Sequence, residues 1–303
     1  MGWMIIGTWR MALEGIAKSA EMLENGGSAG DCVENAIKMV EDCPYYESVG
    51  CGGLPNENGE VELDAGYMDG DSLSFGAVGG IRDFKNPVSI ARRLSQEKVN
   101  CFLTGSGAEE FAHRSGFERK NMLTESAAMR YRNKLNETGR DLIPYEGHDT
   151  VGVVALDKNH SVACGTSTSG LFMKRRGRLG DSPVCGPGFY ADSRVGGCVA
   201  TGLGEDIMKG CVSYEAVRLM EEGHSPQDAA DIAVSKLCGR FAERHREIGD
   251  VSVVCLNNRG EFGAATNIGE FSFAAAAEGL PPAVYVCSVR DGRTVYEAEA
   301  RNI

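Results

Sequence analysis

The chain has 303 residues, enough for two small domains or one large one, and its 42% hydrophobic and 24% charged residues can bury a sizeable core. It holds no run of about 18 apolar residues, which excludes a membrane-spanning helix. Its 43 acidic side chains against 31 basic ones give a formal charge of −12 that repels phosphate backbones and anionic lipid, so neither nucleic acid nor a membrane is an expected partner.

Forty glycines lie between apolar stretches rather than in one tract, and they predict many tight turns and close backbone approaches. The eleven cysteines are odd in number, scattered, and never spaced as C-x-x-C, so they read as reduced thiols. From Trp3 to Thr8 the chain is apolar but lacks the basic start and long core of a secretory signal; it reads as a buried first strand, and the protein is expected to be cytoplasmic.

After that strand, Leu13, Ile16, Ala17, Ala20 and Leu23 repeat at helical spacing until Asn25-Gly26, a C-terminal signal. Ser28-Ala-Gly-Asp31 starts a second helix in the manner of a capping box, with Val33, Ala36, Ile37 and Val40 on one face, and the pair reads as a helical hairpin. The Gly-rich stretch from Tyr46 to Ile81 predicts short strands at Val49–Cys51, Val61–Leu63 and Phe75–Val78. Asn86-Pro87 opens a helix through Leu94, followed by a strand at Cys101–Leu103 and helices over Ala108–Arg114 and Thr124–Leu135. From Asn136 to Gly147 the chain turns polar and loses periodicity, as an exposed linker would. It then runs into two apolar stretches, Thr150–Leu156 and Ser161–Thr168, which read as a hairpin of central strands. Helices near Tyr214–Glu222 and Pro226–Phe241 and strands at Val251–Leu256, Gly263–Thr266 and Val284–Ser288 complete the pattern. Packing rules admit a doubly wound sheet or a four-layer αββα sandwich, and the antiparallel hairpins favour the sandwich.

A hydroxyl residue, Thr150, stands where the linker meets the strand in Gly147-His-Asp-Thr-Val-Gly152. Taken alone, Thr150 is an ordinary β-branched strand residue. A triad built from His148 and Asp149 is disfavoured, because neighbours in a strand point to opposite faces. The basic run Lys174-Arg175-Arg176 reads as a solvated loop, Ala200-Thr-Gly-Leu-Gly204 as a plain turn, and Trp9 as a core residue.

The stretch around Thr150 resembles the self-cleavage site of the glycosylasparaginases, members of the N-terminal-nucleophile hydrolase superfamily. Gly165-Thr-Ser-Thr-Ser-Gly170, Gly177-Arg-Leu-Gly-Asp-Ser-Pro183, Ala200-Thr-Gly-Leu-Gly204, Trp9 and Leu63-Asp-Ala-Gly-Tyr-Met-Asp-Gly70 match in order and spacing over nearly the whole chain. The resemblance implies the four-layer αββα fold as a single domain, cut between Asp149 and Thr150 into an α-chain of 1–149 and a β-chain of 150–303. The cut has a chemical reason: a threonine hydroxyl needs a base, and a free α-amine can be one where a peptide nitrogen cannot.

By the same resemblance, Asp149 assists the cut and Thr150 is the nucleophile. Thr168 hydrogen-bonds its hydroxyl, and Thr201 with the Gly202 amide forms an oxyanion hole. Arg178 and Asp181 hold the α-carboxylate and α-ammonium of an amino acid, and Trp9 lies against the substrate. The implied substrate is N4-(β-N-acetylglucosaminyl)-L-asparagine, with no cofactor, no metal, and a homodimer of cleaved αβ protomers. A rival within the fold is an L-asparaginase or isoaspartyl peptidase, whose kind usually carries Gly-Thr where this chain has Asp149-Thr150. Rivals of other classes are an uncleaved, non-catalytic binding protein and a nucleotide-binding protein; the latter is set aside because neither Gly105-Ser-Gly107 nor Gly202-Leu-Gly204 completes G-x-G-x-x-G.

Overall fold

Strands whose residues are apolar at nearly every position need cover on both faces, and the topology supplies it. The computed structural model describes residues 2–138 and 149–299. In chain order the first half contains β1 (Met4–Thr8), α1 (Leu13–Glu24), α2 (Ala29–Glu41), β2 (Leu63–Asp69), β3 (Phe75–Ile81), α3 (Pro87–Leu94), β4 (Phe102–Thr104), α4 (Gly105–Arg114) and α5 (Glu125–Thr138). The second half contains β5 (Val151–Leu156), β6 (Val162–Thr168), β7 (Phe189–Asp192), β8 (Gly196–Gly202), α6 (Gly204–Gly210), α7 (Val212–Glu221) and α8 (Pro226–Ala242). It ends with β9 (Val251–Asn257), β10 (Phe262–Thr266), β11 (Phe271–Ala277), β12 (Leu280–Arg290) and β13 (Arg293–Ala298).

Nine strands form one sheet in the order β13-β12-β11-β1-β5-β6-β2-β3-β4, and four form a second in the order β10-β9-β8-β7. Neighbours pair antiparallel except β3 and β4, which excludes the doubly wound alternative. Side chains alternate between the resulting layers. Ile5, Val151 and Val153 pack on Ile16, Val33 and Ile37 of α1 and α2. Their strand neighbours Met4, Ile6 and Val154 meet Phe189, Val199 and Val254 between the sheets. On the far side, Cys198, Ala200 and Val253 pack on Val217 and Leu237 of α7 and α8. This is the expected αββα sandwich.

Local signals act as expected where they are strong. The Ser28 side chain accepts from the Asp31 N–H at 3.1 Å, and Pro87 stands in the first turn of α3. The expected hairpin forms with Val151 opposite Ser167 and Leu156 opposite Val162. Two local readings are corrected. Val49–Cys51 is a buried turn rather than a strand, held by the Cys51 N–H on the Glu41 carbonyl at 2.7 Å. Helix α5 continues to Thr138, so 136–138 are helical; the rest of the expected linker, with His148, lies outside the described residues. All eleven cysteines are free thiols, and no described helix is long and apolar enough to cross a membrane.

Glu41, at the end of α2, is wholly buried. It accepts from the Val88 N–H at the start of α3 at 3.0 Å and from the Asn86 amide at 3.3 Å, so one carboxylate joins two helices of the outer layer. Burial pushes this carboxyl up to about 8, against the lowering effect of those donors. The folded-state value therefore lies above the unfolded one of about 4.3. Glu41 stabilises the fold when protonated, a contribution present at low pH and lost as pH rises towards 8. Glu41→Gln keeps the neutral shape, so its melting temperature relative to the unaltered protein should rise steadily from pH 5 to pH 8. A pH-independent difference in thermal unfolding would contradict this assignment.

Candidate active site

Four strand ends converge at one edge of the sandwich: the ends of β1, β6 and β8 and the start of β5. The Thr8 hydroxyl, at the end of β1, donates to the Thr150 carbonyl at 2.6 Å and accepts from the Gly152 N–H at 2.8 Å. It thereby fixes the backbone on both sides of Val151. Thr150 itself is buried, as are Thr168, Ser182 and Thr201.

The Thr201 hydroxyl lies at the centre of this arrangement. Its oxygen accepts from the Thr150 N–H at 3.1 Å and from the Trp9 indole N–H at 2.9 Å. A hydroxyl has two acceptor sites and one proton, so with both acceptors used its remaining capacity is to donate. Trp9 reaches this position with φ 63° and ψ 156°, backbone angles that side-chain-bearing residues rarely adopt, and its ring meets Phe271 edge-on at 5.1 Å. Gly202 follows with φ 134°, and a Cβ there would lie 2.1 Å from the Asp250 carbonyl oxygen, so only glycine fits. What reads in sequence as a plain turn at Thr201-Gly202 is the end of β8, and Trp9, read as a core residue, is half-buried against the core with its indole N–H on Thr201.

The Thr150 hydroxyl pairs with Ser182 Oγ at 3.1 Å. The Thr168 hydroxyl is directed elsewhere: it donates to the Ser48 carbonyl at 3.3 Å and accepts from the Gly170 N–H at 2.9 Å. Ser182 stands inside Gly177-Arg-Leu-Gly-Asp-Ser-Pro183, and its one sequence signal is its place directly after Asp181. Thr8 and Ser48 had no comparable signal.

Beside the hydroxyls lies a charged cluster. Asp181 is buried, and its Oδ2 has no hydrogen-bond partner among the described residues. Burial pushes its carboxyl up to about 7, against the lowering effects of a backbone hydrogen bond and the Arg178 charge; Glu205 and Asp64 add to the rise. The Arg178 Nε and Nη2 donate to the two Glu205 carboxylate oxygens at 2.8 and 2.5 Å, so the pair of N–H groups on that edge is occupied. Arg175 and Arg176 are exposed as expected of a solvated run, but Lys174 is not. Its Nζ is buried 3.8 Å from Asp64 Oδ2 and donates to the Glu62 carbonyl at 3.2 Å. On the other side, a cavity of about 350 Å³ is lined by Trp9, Tyr46, Ser48, Arg130 and Asp149.

This arrangement can do amide chemistry: a buried hydroxyl, a nitrogen on the same residue, a hydroxyl left to donate, and a carboxylate able to take a cation. A profile of the asparaginase family, Asparaginase_2, matches residues 8–284. The chain belongs to this family. It is 35% identical over 273 residues to the N(4)-(Beta-N-acetylglucosaminyl)-L-asparaginase of Elizabethkingia miricola, spanning 89% of this chain and 80% of that protein. It is also 37% identical over 262 residues to the Isoaspartyl peptidase/L-asparaginase of Homo sapiens, spanning 85% of this chain and 83% of that one. The corresponding protein of Xenopus laevis is 36% identical over 266 residues, 87% and 84% of the two chains. As a member of the asparaginase family the protein is an amidohydrolase with an α/β sandwich fold.

Thr201→Val keeps the shape of the side chain but removes the acceptor shared by Thr150 and Trp9 and the proton left to donate. Amide hydrolysis should then fall by about 100-fold or more in kcat, the usual cost of one oxyanion donor. Unchanged kcat would reduce Thr201 to a packing role.

Proposed function

We propose that the chain cuts itself between Asp149 and Thr150, and that the freed Thr150 hydrolyses the side-chain amide of N4-(β-N-acetylglucosaminyl)-L-asparagine. The observation that carries the reading is the double contact of Thr150, with its hydroxyl on Ser182 and its nitrogen on Thr201. In the uncut chain that nitrogen is a peptide N–H and accepts no proton. Once cut, it is an α-amine titrating near pH 7.7–8.0, roughly where a general base is useful.

The cut starts when Thr150 Oγ1 attacks the Asp149 carbonyl carbon. The bond to the Thr150 nitrogen breaks, an ester joins Asp149 to the Thr150 oxygen, and water opens it. In catalysis the amine takes the proton of the Thr150 hydroxyl as Oγ1 attacks the substrate's side-chain carbonyl. Thr201 and the Gly202 amide hold the negative oxygen. The proton passes to the leaving nitrogen, and water then hydrolyses the β-aspartyl ester. Asp181, buried with one oxygen that has no partner among the described residues, takes the α-ammonium, and Arg178 takes the α-carboxylate.

None of this chemistry requires a sugar, and asparagine should also react. The named relatives divide between glycosylated asparagine and isoaspartyl or asparagine substrates. The Asp149-Thr150 junction favours the first for this chain, and cleaved protomers are proposed to pair as a homodimer on the resemblance alone.

Sequencing of the C-terminal fragment should begin at Thr150, and Thr150→Ala should remain a single band near 32.4 kDa. Any other start ends the mechanism. Comparing kcat/KM for glycosylated asparagine, asparagine and β-aspartyl dipeptides tests the substrate, and a clear preference for the dipeptides would transfer the assignment to the isoaspartyl peptidases.

The pH profile supplies a separate check. Both Asp181, pushed up to about 7, and the Thr150 amine must lose a proton in the free enzyme. Below about pH 6.5 the slope of log kcat/KM against pH should therefore approach 2. Asp181→Asn should weaken substrate binding and reduce that slope to 1. A slope of 1 in the unaltered enzyme would mean that Asp181 is already ionised.

A further inference from the structure

We propose that Glu205 is the positioning residue of the substrate clamp: it holds the outer edge of Arg178 so that the remaining edge, led by Nη1, meets the substrate's α-carboxylate. The inference rests on the proposed reading, in which Arg178 and Asp181 hold the amino-acid end of the substrate.

A zwitterion carries its ammonium and carboxylate on one carbon, so the N–H that meets the carboxylate has to lie beside Asp181. Arg178 Nη1 meets this condition. It lies 3.1 Å from where a Cβ on Gly180 would stand, next to Asp181 in the chain, and 3.3 Å from that position on Gly170. The opposite edge, Nε and Nη2, is closed by both oxygens of Glu205. The first residue of α6 also packs on Asp181: a Cβ on Gly204 would stand 2.7 Å from the Asp181 nitrogen and 2.9 Å from its Oδ1. Consecutive residues Gly204 and Glu205 thus contact Asp181 and Arg178 in turn.

The energetic reason is preorganisation. An arginine side chain has many rotamers to lose on binding, and a two-pronged contact settles most of them before substrate arrives. Glu205 is suited to this because it is charged near neutral pH. Partial burial pushes its carboxyl up, but the hydrogen bond and charge of Arg178 outweigh this and hold it below the usual range. Its side chain is 44% exposed against 16% for Arg178, so it closes the clamp from the solvent side. The charges facing Asp181 are Arg178, Glu205 and Asp64, the last paired with Lys174.

The test is steady-state kinetics of cleaved Glu205→Gln and Glu205→Asp on asparagine and on its α-amide. With Glu205→Gln, KM for asparagine should rise about tenfold or more, the scale of a charge-assisted contact, while kcat changes little. The α-amide, which offers no carboxylate, should show no such penalty, and Glu205→Asp should recover part of the loss. The acidic limb of kcat/KM should also move to lower pH in Glu205→Gln, because Glu205 helps to raise Asp181. A fall in KM would show Glu205 competing with substrate for Arg178, and an equal loss on both substrates would show a packing role; either overturns the proposal. Absence of hydrolysis in the unaltered protein would instead defeat the reading on which it rests.

Discussion

The site depends on one shared acceptor, the Thr201 oxygen between the Thr150 N–H and the Trp9 indole. These three residues come from the ends of three strands that lie far apart in sequence and in both sheets. Each sheet fixes its own strands through backbone ladders, but only side chains can fix one sheet's edge against the other's. The strained backbone of Trp9 shows what this costs: angles of this kind run to about 1–3 kcal/mol and persist where the surroundings over-determine them. Here the surroundings are the hydrogen bond to Thr201 and the edge-on contact with Phe271.

Around that anchor the protein buries more charge than stability alone would favour. Lys174 and Asp64 are almost wholly enclosed, and Asp181 lies next to them with an acceptor unused. Burial raises the carboxyls of both aspartates, so the folded protein holds them at a cost in stability near neutral pH. A buried ion pair is weak evidence for stability, although removing one partner commonly costs about 3–5 kcal/mol. The better account is geometric. Lys174 and Arg178 lie on the same connection between β6 and β7, and the Lys174 contact with Asp64 ties that segment to β2. The segment's position then sets where Arg178 can point.

The architecture was legible wherever a residue's neighbours in sequence decide its state. Ser28 with Asp31, Asn86-Pro87 and the hairpin from Val151 to Thr168 are local signals, and they hold. The missed elements are those whose burial comes from distant partners. Strand β8 is Gly196-Gly-Cys-Val-Ala-Thr-Gly202, and β11 ends in four alanines. Such small side chains look like a turn or a helix until sheets and helices are packed close on both sides. The same limit applies to the site. Motif matching points to Thr150, Thr201, Arg178 and Asp181, but Ser48 and Glu205, which meet Thr168 and Arg178, lie outside the motifs. Ser48 acts through a carbonyl in a turn and Glu205 through a carboxylate in the first turn of α6, and each meets its partner only through the tertiary fold, which no periodicity reveals.

On the proposed chemistry, the stretch from Thr201 to Glu205 explains why one site can serve both self-cleavage and catalysis. Thr201 and Gly202 face the carbonyl under attack in either reaction. Gly204 and Glu205 face Asp181 and Arg178, which matter only when a free amino acid is present. The two duties are thus separated along one strand-to-helix junction, with glycine at 202 and 204 where any side chain would strike the Asp250 carbonyl or Asp181. A change at Thr201 touches both reactions at once, whereas a change at Glu205 can alter recognition after the chain has matured. Substrate preference is therefore free to vary on the clamp side without disturbing the step that creates the nucleophile.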